Sequence, residues 1–235
     1  MPRRPRLELP GIALHVTQRG VNRCAIFVDD IDRQHFHDLL CEHMHDNGVP
    51  VHAYVLMGNH VHLLLTPPER GALARAMRNL GQCYVQSFNQ RHRRSGTLWQ
   101  GRYKSCLVDN ERYLMTVYRY IELNPVRAAM AARPEAYRWS SVHTNIGLLV
   151  DDLVTPHDTY LAIDSDPDVR AHAYREWLHQ GVNEDDLKRI RRHLQQERAL
   201  GDTTFQTMVE KALGRPARVR PRGRPRASAT PREEN

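Results

Sequence analysis

Apolar and polar positions alternate over residues 12–19, IALHVTQR, a period of two that predicts a β-strand. The period then lengthens. From about residue 31 to 46, Phe36, Leu39, Leu40 and Met44 recur at helical spacing; Asp29, Asp30 and Asp32 stand at the start, and Gly48 marks the end. Two apolar runs, 50–57 and 60–66, flank Gly58-Asn59, a pair suited to a tight hairpin turn. A second helix is predicted over about 70–92, with Leu73, Met77, Leu80, Tyr84 and Phe88 along one face. Residues 102–108 read as a fourth strand. Asp109-Asn110 then caps a helix expected to run to Asn124, where Pro125 follows.

The order β-α-β-β-α-β plus a helix predicts an α+β fold: a ferredoxin-like (split βαβ) antiparallel sheet with helices packed on one face. Such a sheet hosts many unrelated functions, so it identifies none. Beyond about residue 145 the character changes. Residues 151–168 are acidic and broken by Pro156 and Pro167, and three short helical patterns follow near 167–180, 183–199 and 203–213. The expected division is a main domain over 1–145, a small helical appendage over 146–213, and an Arg/Pro-rich tail over 214–235 too polar to order itself. There is no internal repeat.

Charge sharpens this picture. The formal net charge is +7, and residues 215–232 carry seven arginines and no acid. The remainder is near neutral but unevenly patterned: from Arg70 to Val108 there are eight cations and no Asp or Glu. A solvated helix face usually mixes signs, so a one-sign stretch points to a polyanionic partner. Within it Arg91, Arg93, Arg94, Arg102 and Lys104 flank Trp99 and Tyr103, the alternation of cations and flat rings that holds single-stranded nucleic acid. Trp99 equally suits a core position covering the sheet edge. Arg19 and Arg23, just after the first strand, extend the same basic surface. In the tail, PRGRPR (221–226) presents Arg222 and Arg224 either as a generic basic tether or as arginines for a narrow minor groove. The four cysteines form no CxxC pair, and no apolar run approaches the roughly 20 residues needed to span a bilayer. A reducing cytoplasm, with no membrane partner, is the expected setting.

Three His-x-His pairs occur, at 35/37, 43/45 and 60/62. On a helix, residues two apart diverge by about 200°, so the first two pairs cannot share a ligand. On a strand they point the same way, roughly 6.6 Å apart at about 3.3 Å per residue. Only His60 and His62 lie in a predicted strand, where two imidazoles can converge on a divalent cation or a phosphate, or simply face solvent. A third group is needed for a metal. Tyr120 and Asn124, four apart in YLMTVYRYIELNP, share a helix face; an Asn carbonyl is a fair oxygen ligand, and a tyrosine beside a cation can serve as nucleophile or merely as a packed ring. The other histidines, His15 and His52 among them, carry no assigned role, and Glu122 should face away from Tyr120.

Five stretches in order, GIALHVTQRGVNR, MGNHVHLLLTP, GTLWQGRYKS, RYIELNPVRA and the WSS at 139–141, resemble the REP-associated tyrosine transposases of the HUH single-strand transposase superfamily. The resemblance covers about residues 10–145 and implies that 1–145 is an HUH transposase-like catalytic domain. It implies that His60 and His62 hold Mg²⁺ or Mn²⁺ with Asn124, and that Tyr120 is the nucleophile. The implied activity is cleavage and rejoining of single-stranded DNA through a 5′-phosphotyrosine at hairpin-forming extragenic palindromes. The resemblance further implies that no nucleotide cofactor takes part, that the setting is cytoplasmic and nucleoid-associated, and that the protein acts as monomer or homodimer. Two alternatives remain. One is a DNA-binding regulator on the same fold that does not cut. The other is a metal-free histidine phosphoesterase, for which a second His-x-Ser/Thr strand is missing; a nucleotide hydrolase with three alternating histidines would need one at position 64, which is Leu.

Overall fold

Six elements follow one another in the predicted order: β1 (Leu14–Arg19), α1 (Asp30–Asp46), β2 (Val51–Leu56), β3 (His60–Leu65), α2 (Ala72–Arg91) and β4 (Lys104–Leu107). The computed structural model describes residues 5–109 and 112–220, so the expected cap at Asn110 lies outside the described residues. The strands form one sheet in the order β2-β3-β1-β4, every neighbouring pair antiparallel. The register of β1 against β3 sets His15 opposite Leu64, Thr17 opposite His62 and Arg19 opposite His60.

Strand alternation then decides the two faces. Val16, Val61 and Leu63 point to one face and are wholly buried; α1 and α2, which pack on each other, cover it. His15, Val55, His62 and Leu64 point to the other and are also buried, so that face needs a cover of its own. It comes from α3 (Leu114–Glu122), which contacts β2 and β3 and is apolar enough to bury Leu114, Val117, Tyr118 and Ile121 completely. The two crossover helices therefore share one face, and the helix carrying Tyr120 takes the opposite one.

Two details of the predicted pattern differ. The β2–β3 turn closes with a Met57 N–H to His60 carbonyl bond of 2.9 Å, but neither Gly58 nor Asn59 has positive φ. The turn is held from outside instead: the Gly58 carbonyl accepts from Ile26 N–H and the Asn59 carbonyl from Gly20 N–H. The helix expected to reach Asn124 stops at Glu122, and a separate turn, α4 (Asn124–Arg127), follows after Leu123. Pro125 lacks the N–H that a continuous helix requires, and it is tolerated where it falls in the first turn of α4.

The C-terminal region contains α5 (Val142–Asn145), α6 (Asp158–Leu161), α7 (Pro167–His179), α8 (Glu184–Gln196) and α9 (Thr203–Leu213). Asp166, Asn183 and Asp202 cap the last three through side-chain oxygens that accept N–H groups of the first turn. This region covers both sheet edges. Ser140 and Val154 bridge to β2, and Leu200 pairs beyond β4, donating to Leu107 O at 2.7 Å and accepting from Asp109 N–H at 2.8 Å. An edge strand's free N–H and C=O groups are thereby used. Ordered packing also runs past the expected start of the tail. Gly214 turns the chain back at φ 62°, Ala217 is buried, and Arg215 donates to the carbonyls of Pro5 and Arg6. Arg222 and Arg224 lie outside the described residues.

Candidate active site

β1 and β3 carry imidazoles onto the face that α3 covers. His62 is 5% exposed, and its ring centroid lies 5.1 Å from that of His60 and 5.8 Å from that of Tyr120. Asn124, at the start of α4, joins them in lining one cavity of about 730 Å³. The interruption between α3 and α4 thus leaves Tyr120 and Asn124 on a common side. Position 64 is Leu, yet its β1 neighbour across the sheet is His15, so a third imidazole does enter the cluster, from another strand.

Hydrogen bonding orients the rings. His60 Nδ1 lies 2.6 Å from Asn59 Oδ1, which can only accept, so this nitrogen carries the proton and Nε2 keeps a lone pair. His62 Nδ1 lies 2.8 Å from His15 Nε2, leaving His62 Nε2 unengaged by that bond. Burial holds all three rings neutral: His60 falls to about 4 and His15 to about 3 from 6.5, and His62 is pushed well below it, with neighbouring cations adding to the effect. Neutral imidazoles with a free nitrogen, joined by an amide oxygen, are a donor set that fits a divalent cation. A second grouping, Glu42, His43 and Asp46, brings ligand atoms within 4.8 Å of one another on α1, away from the cavity that contains Tyr120.

The cavity wall is basic. Among the described residues, Arg19, Arg102, Lys104 and Arg191 line it and no carboxylate does. Behind Tyr120 sits Arg127, whose guanidinium lies 4.4 Å from the ring centroid and whose Nη2 donates to the Tyr120 carbonyl at 2.6 Å. Its Nε and Nη1 are buried without a hydrogen-bond partner, an uncommon condition for a charged group. Sequence reading assigned no role to His15, Arg127 or Arg191. For His15 a signal existed, in its odd position on the same strand as Thr17; for Arg191, seventy residues away in an amphipathic helix, there was none.

The remaining expected nucleic-acid contacts divide. Arg91 is taken up by ion pairs with Asp29 (2.6 Å) and Asp32, which tie α2 to the start of α1; it does not line the cavity. Arg23, Arg93 and Arg94 are exposed outside it, Arg94 over the Phe88 ring at 5.5 Å. Trp99 is half-buried, with Tyr84 and Phe36 ring centroids at 6.2 and 6.4 Å, and bridges Gly20 at the end of β1, so it does cover the sheet edge. With Tyr103 and Arg102 it also lines a second, mainly apolar cavity of about 670 Å³, adjoining the first through Arg102. One face of Tyr103 is occupied by the Arg6 guanidinium, 3.5 Å from the centroid.

Glu122 faces away from Tyr120, as its spacing predicts, and is wholly buried. It accepts from Ser141 Oγ (2.6 Å), Asn145 Nδ2 (2.7 Å) and Tyr174 hydroxyl (2.7 Å), binding α3 to the WSS stretch and to α7. Two of the five stretches singled out in the sequence, RYIELNPVRA and WSS, therefore meet in a structural network.

The sequence profile of IS200-like transposases matches residues 9–124, which contain all four grouped side chains. No curated protein matches the chain. Among solved structures, a REP-associated tyrosine transposase bound to a REP hairpin superimposes with a TM-score of 0.52 at 18% identity, covering 67% of this chain and 93% of that one. A protein of Deinococcus radiodurans R1 described as a candidate transposase gives 0.37 at 20% identity, over 52% of this chain and 96% of that one. The structural likeness establishes the fold, and residues 9–124 of this chain match the IS200-like transposase family.

Proposed function

We propose that the protein cleaves and rejoins single-stranded DNA beside hairpin-forming palindromes, with Tyr120 as nucleophile. The observation that carries this reading is the convergence of His60, His62, Tyr120 and Asn124 on one cavity whose charged groups, among the described residues, are all cations. The hydroxyl oxygen of Tyr120 attacks phosphorus in line, the bond from phosphorus to the 3′ oxygen breaks, and the 5′ phosphate remains on the tyrosine. The phenolic proton leaves to water at the cavity mouth, and the departing 3′ oxygen takes one up. Because the phosphodiester energy is retained in the new ester, a second 3′ hydroxyl can reverse the step without nucleotide hydrolysis.

Each neighbouring side chain has a part. His60 and His62 through Nε2, with Asn124 through its side-chain oxygen, would hold Mg²⁺ or Mn²⁺. Bound there, the cation supplies Lewis-acid polarisation of the non-bridging phosphate oxygens. Arg127 sets a positive charge against the Tyr120 ring, where a phenolate needs a counter-charge. Arg19, Arg102 and Lys104 neutralise backbone phosphates of the strand, while half-buried Trp99 at the adjoining cavity stacks a base and Tyr103, buried under Arg6, supports that wall. Arg23, Arg93, Arg94 and the tail arginines Arg222 and Arg224 give further non-specific grip, with Arg91 contributing to fold rather than to DNA. A hairpin-bearing substrate is suggested by the partner of the REP-associated relative.

The test is a covalent-complex gel with labelled single-stranded hairpin DNA, with and without EDTA. The expected result is a metal-dependent adduct in the wild type, none in Tyr120→Phe, and DNA binding by that variant within about twofold of wild type, since one hydroxyl is lost and no charge. An adduct that survives in Tyr120→Phe ends the assignment.

A further inference from the structure

α8 lies 60 residues beyond the stretch that matches the transposase profile, yet it forms part of the cavity that contains Tyr120. Arg191, Leu194 and Gln195, at spacings of three and four, present one helix face to that cavity, across from Arg19 and Lys104 on the sheet. The helix is firmly seated. Leu187, Ile190 and Leu194 are buried against the body of the protein, Arg189 donates to the Tyr113 hydroxyl, and the chain leaving α8 pairs with the sheet edge through Leu200.

Arg191 itself is exposed and has no carboxylate partner among the described residues. It lies near enough to Arg127 for their two charges to repel. A protein fold gains nothing from gathering Arg19, Lys104 and Arg191 about one space that no carboxylate among the described residues lines; an incoming polyanion does. Neighbouring Arg192 points elsewhere, its Nη2 directed at the Arg220 carbonyl.

We infer that α8 is a wall of the DNA channel and that Arg191 contacts a backbone phosphate of the strand seated against Tyr120. This extends the reading proposed above and rests on it for the identity of the strand. The C-terminal region is then part of the reaction chamber, and the site is incomplete without it.

The test uses the full chain and the variants Arg191→Ala, Arg191→Lys and Arg192→Ala. Binding of a mixed-sequence, fluorescein-labelled single-stranded oligonucleotide is followed by anisotropy in EDTA over a range of salt, and adduct formation is measured separately with Mn²⁺. Arg191→Ala should bind roughly fivefold to tenfold more weakly and lower the log–log salt slope by about 0.7, the share of one phosphate on a single strand. Arg191→Lys should retain most of the affinity, and Arg192→Ala, with the same change in net charge, should stay within about twofold of wild type. Equal behaviour of Arg191→Ala and Arg192→Ala, or an unchanged slope, overturns the inference. The two levels separate cleanly. Selective weakening by Arg191→Ala in a protein that never forms an adduct sustains the wall and removes the chemistry; normal binding and adduct formation in Arg191→Ala remove the wall and sustain the chemistry.

Discussion

His15 Nε2 on β1 and His62 Nδ1 on β3 lie 2.8 Å apart in the interior, one imidazole buttressing the other across the sheet. Both rings are neutral, so one nitrogen must donate and the other accept. If His62 Nδ1 donates, its Nε2 is the basic nitrogen, and the His15 proton sits on Nδ1, which is buried without a partner. His15 then fixes the tautomer in which His62 can bind a metal. Replacing His15 by Phe should weaken Mn²⁺ binding roughly 10- to 100-fold, the usual cost of losing such a buttress. His15→Gln, whose carbonyl can accept the same N–H, should restore most of it. Electron paramagnetic resonance of bound Mn²⁺ measures both; equal affinity in wild type and His15→Phe would remove the role.

Arg127 is a prediction about rate rather than affinity. Its charge sits behind the Tyr120 ring, out of the row of cations that line the cavity. Arg127→Met keeps the bulk and loses the charge, and adduct formation should slow by roughly 100-fold, as when a single charge-stabilising donor is lost from an active site. Arg127→Lys keeps the charge without the planar stack and should fall between. Oligonucleotide affinity should change by less than about threefold in both. A wild-type rate in Arg127→Met would count decisively against this arrangement.

Glu122 predicts stability. Its two oxygens satisfy three buried donors, so Glu122→Leu strands the Tyr174 hydroxyl and leaves the Ser141 hydroxyl and the Asn145 amide only their longer bonds, to the carbonyls of Tyr54 (3.3 Å) and His52 (3.4 Å). The expected loss is about 3 kcal/mol or more in urea unfolding, because unsatisfied buried groups cost more than a bond contributes. Glu122→Gln, which keeps the acceptor oxygen, should lose less. A loss of under about 1 kcal/mol in Glu122→Leu would mean the network relaxes or admits water.

Acid should destabilise the fold well above the carboxylate range. Burial lowers His15 to about 3 and His52 to about 4, against 6.5 in the unfolded chain. Between these values the unfolded state binds protons that the folded state refuses, so stability is complete above about pH 6.5 and falls as pH drops toward 4. Each ring contributes at most about 1.4 kcal/mol per pH unit in that window. Melting temperatures recorded from pH 8 to 4.5 without added metal should show the decline, and His15→Gln should flatten it. A Tm that stays level from pH 6.5 to 5 contradicts the buried-neutral assignment.

Local pattern determined a great deal here. Period two against period 3.6 set the four strands and the first three helices to within a few residues, and the strand placement of His60-Val61-His62 followed from it, since alternation leaves no other choice of face. The same local logic named Tyr120 and Asn124 as a pair and sent Glu122 the other way. Tertiary structure alone decided which groups join them. His15 meets His62 only through the register of β1 on β3. Arg91 is withdrawn from the basic surface by acids on α1, Trp99 is turned against Tyr84, and Arg191 arrives from a helix nearly seventy residues after Asn124. Secondary structure is written in neighbours along the chain, whose side-chain directions repeat with the backbone; an active site is assembled from neighbours in space, and those depend on which faces must be covered when the sheet leaves water.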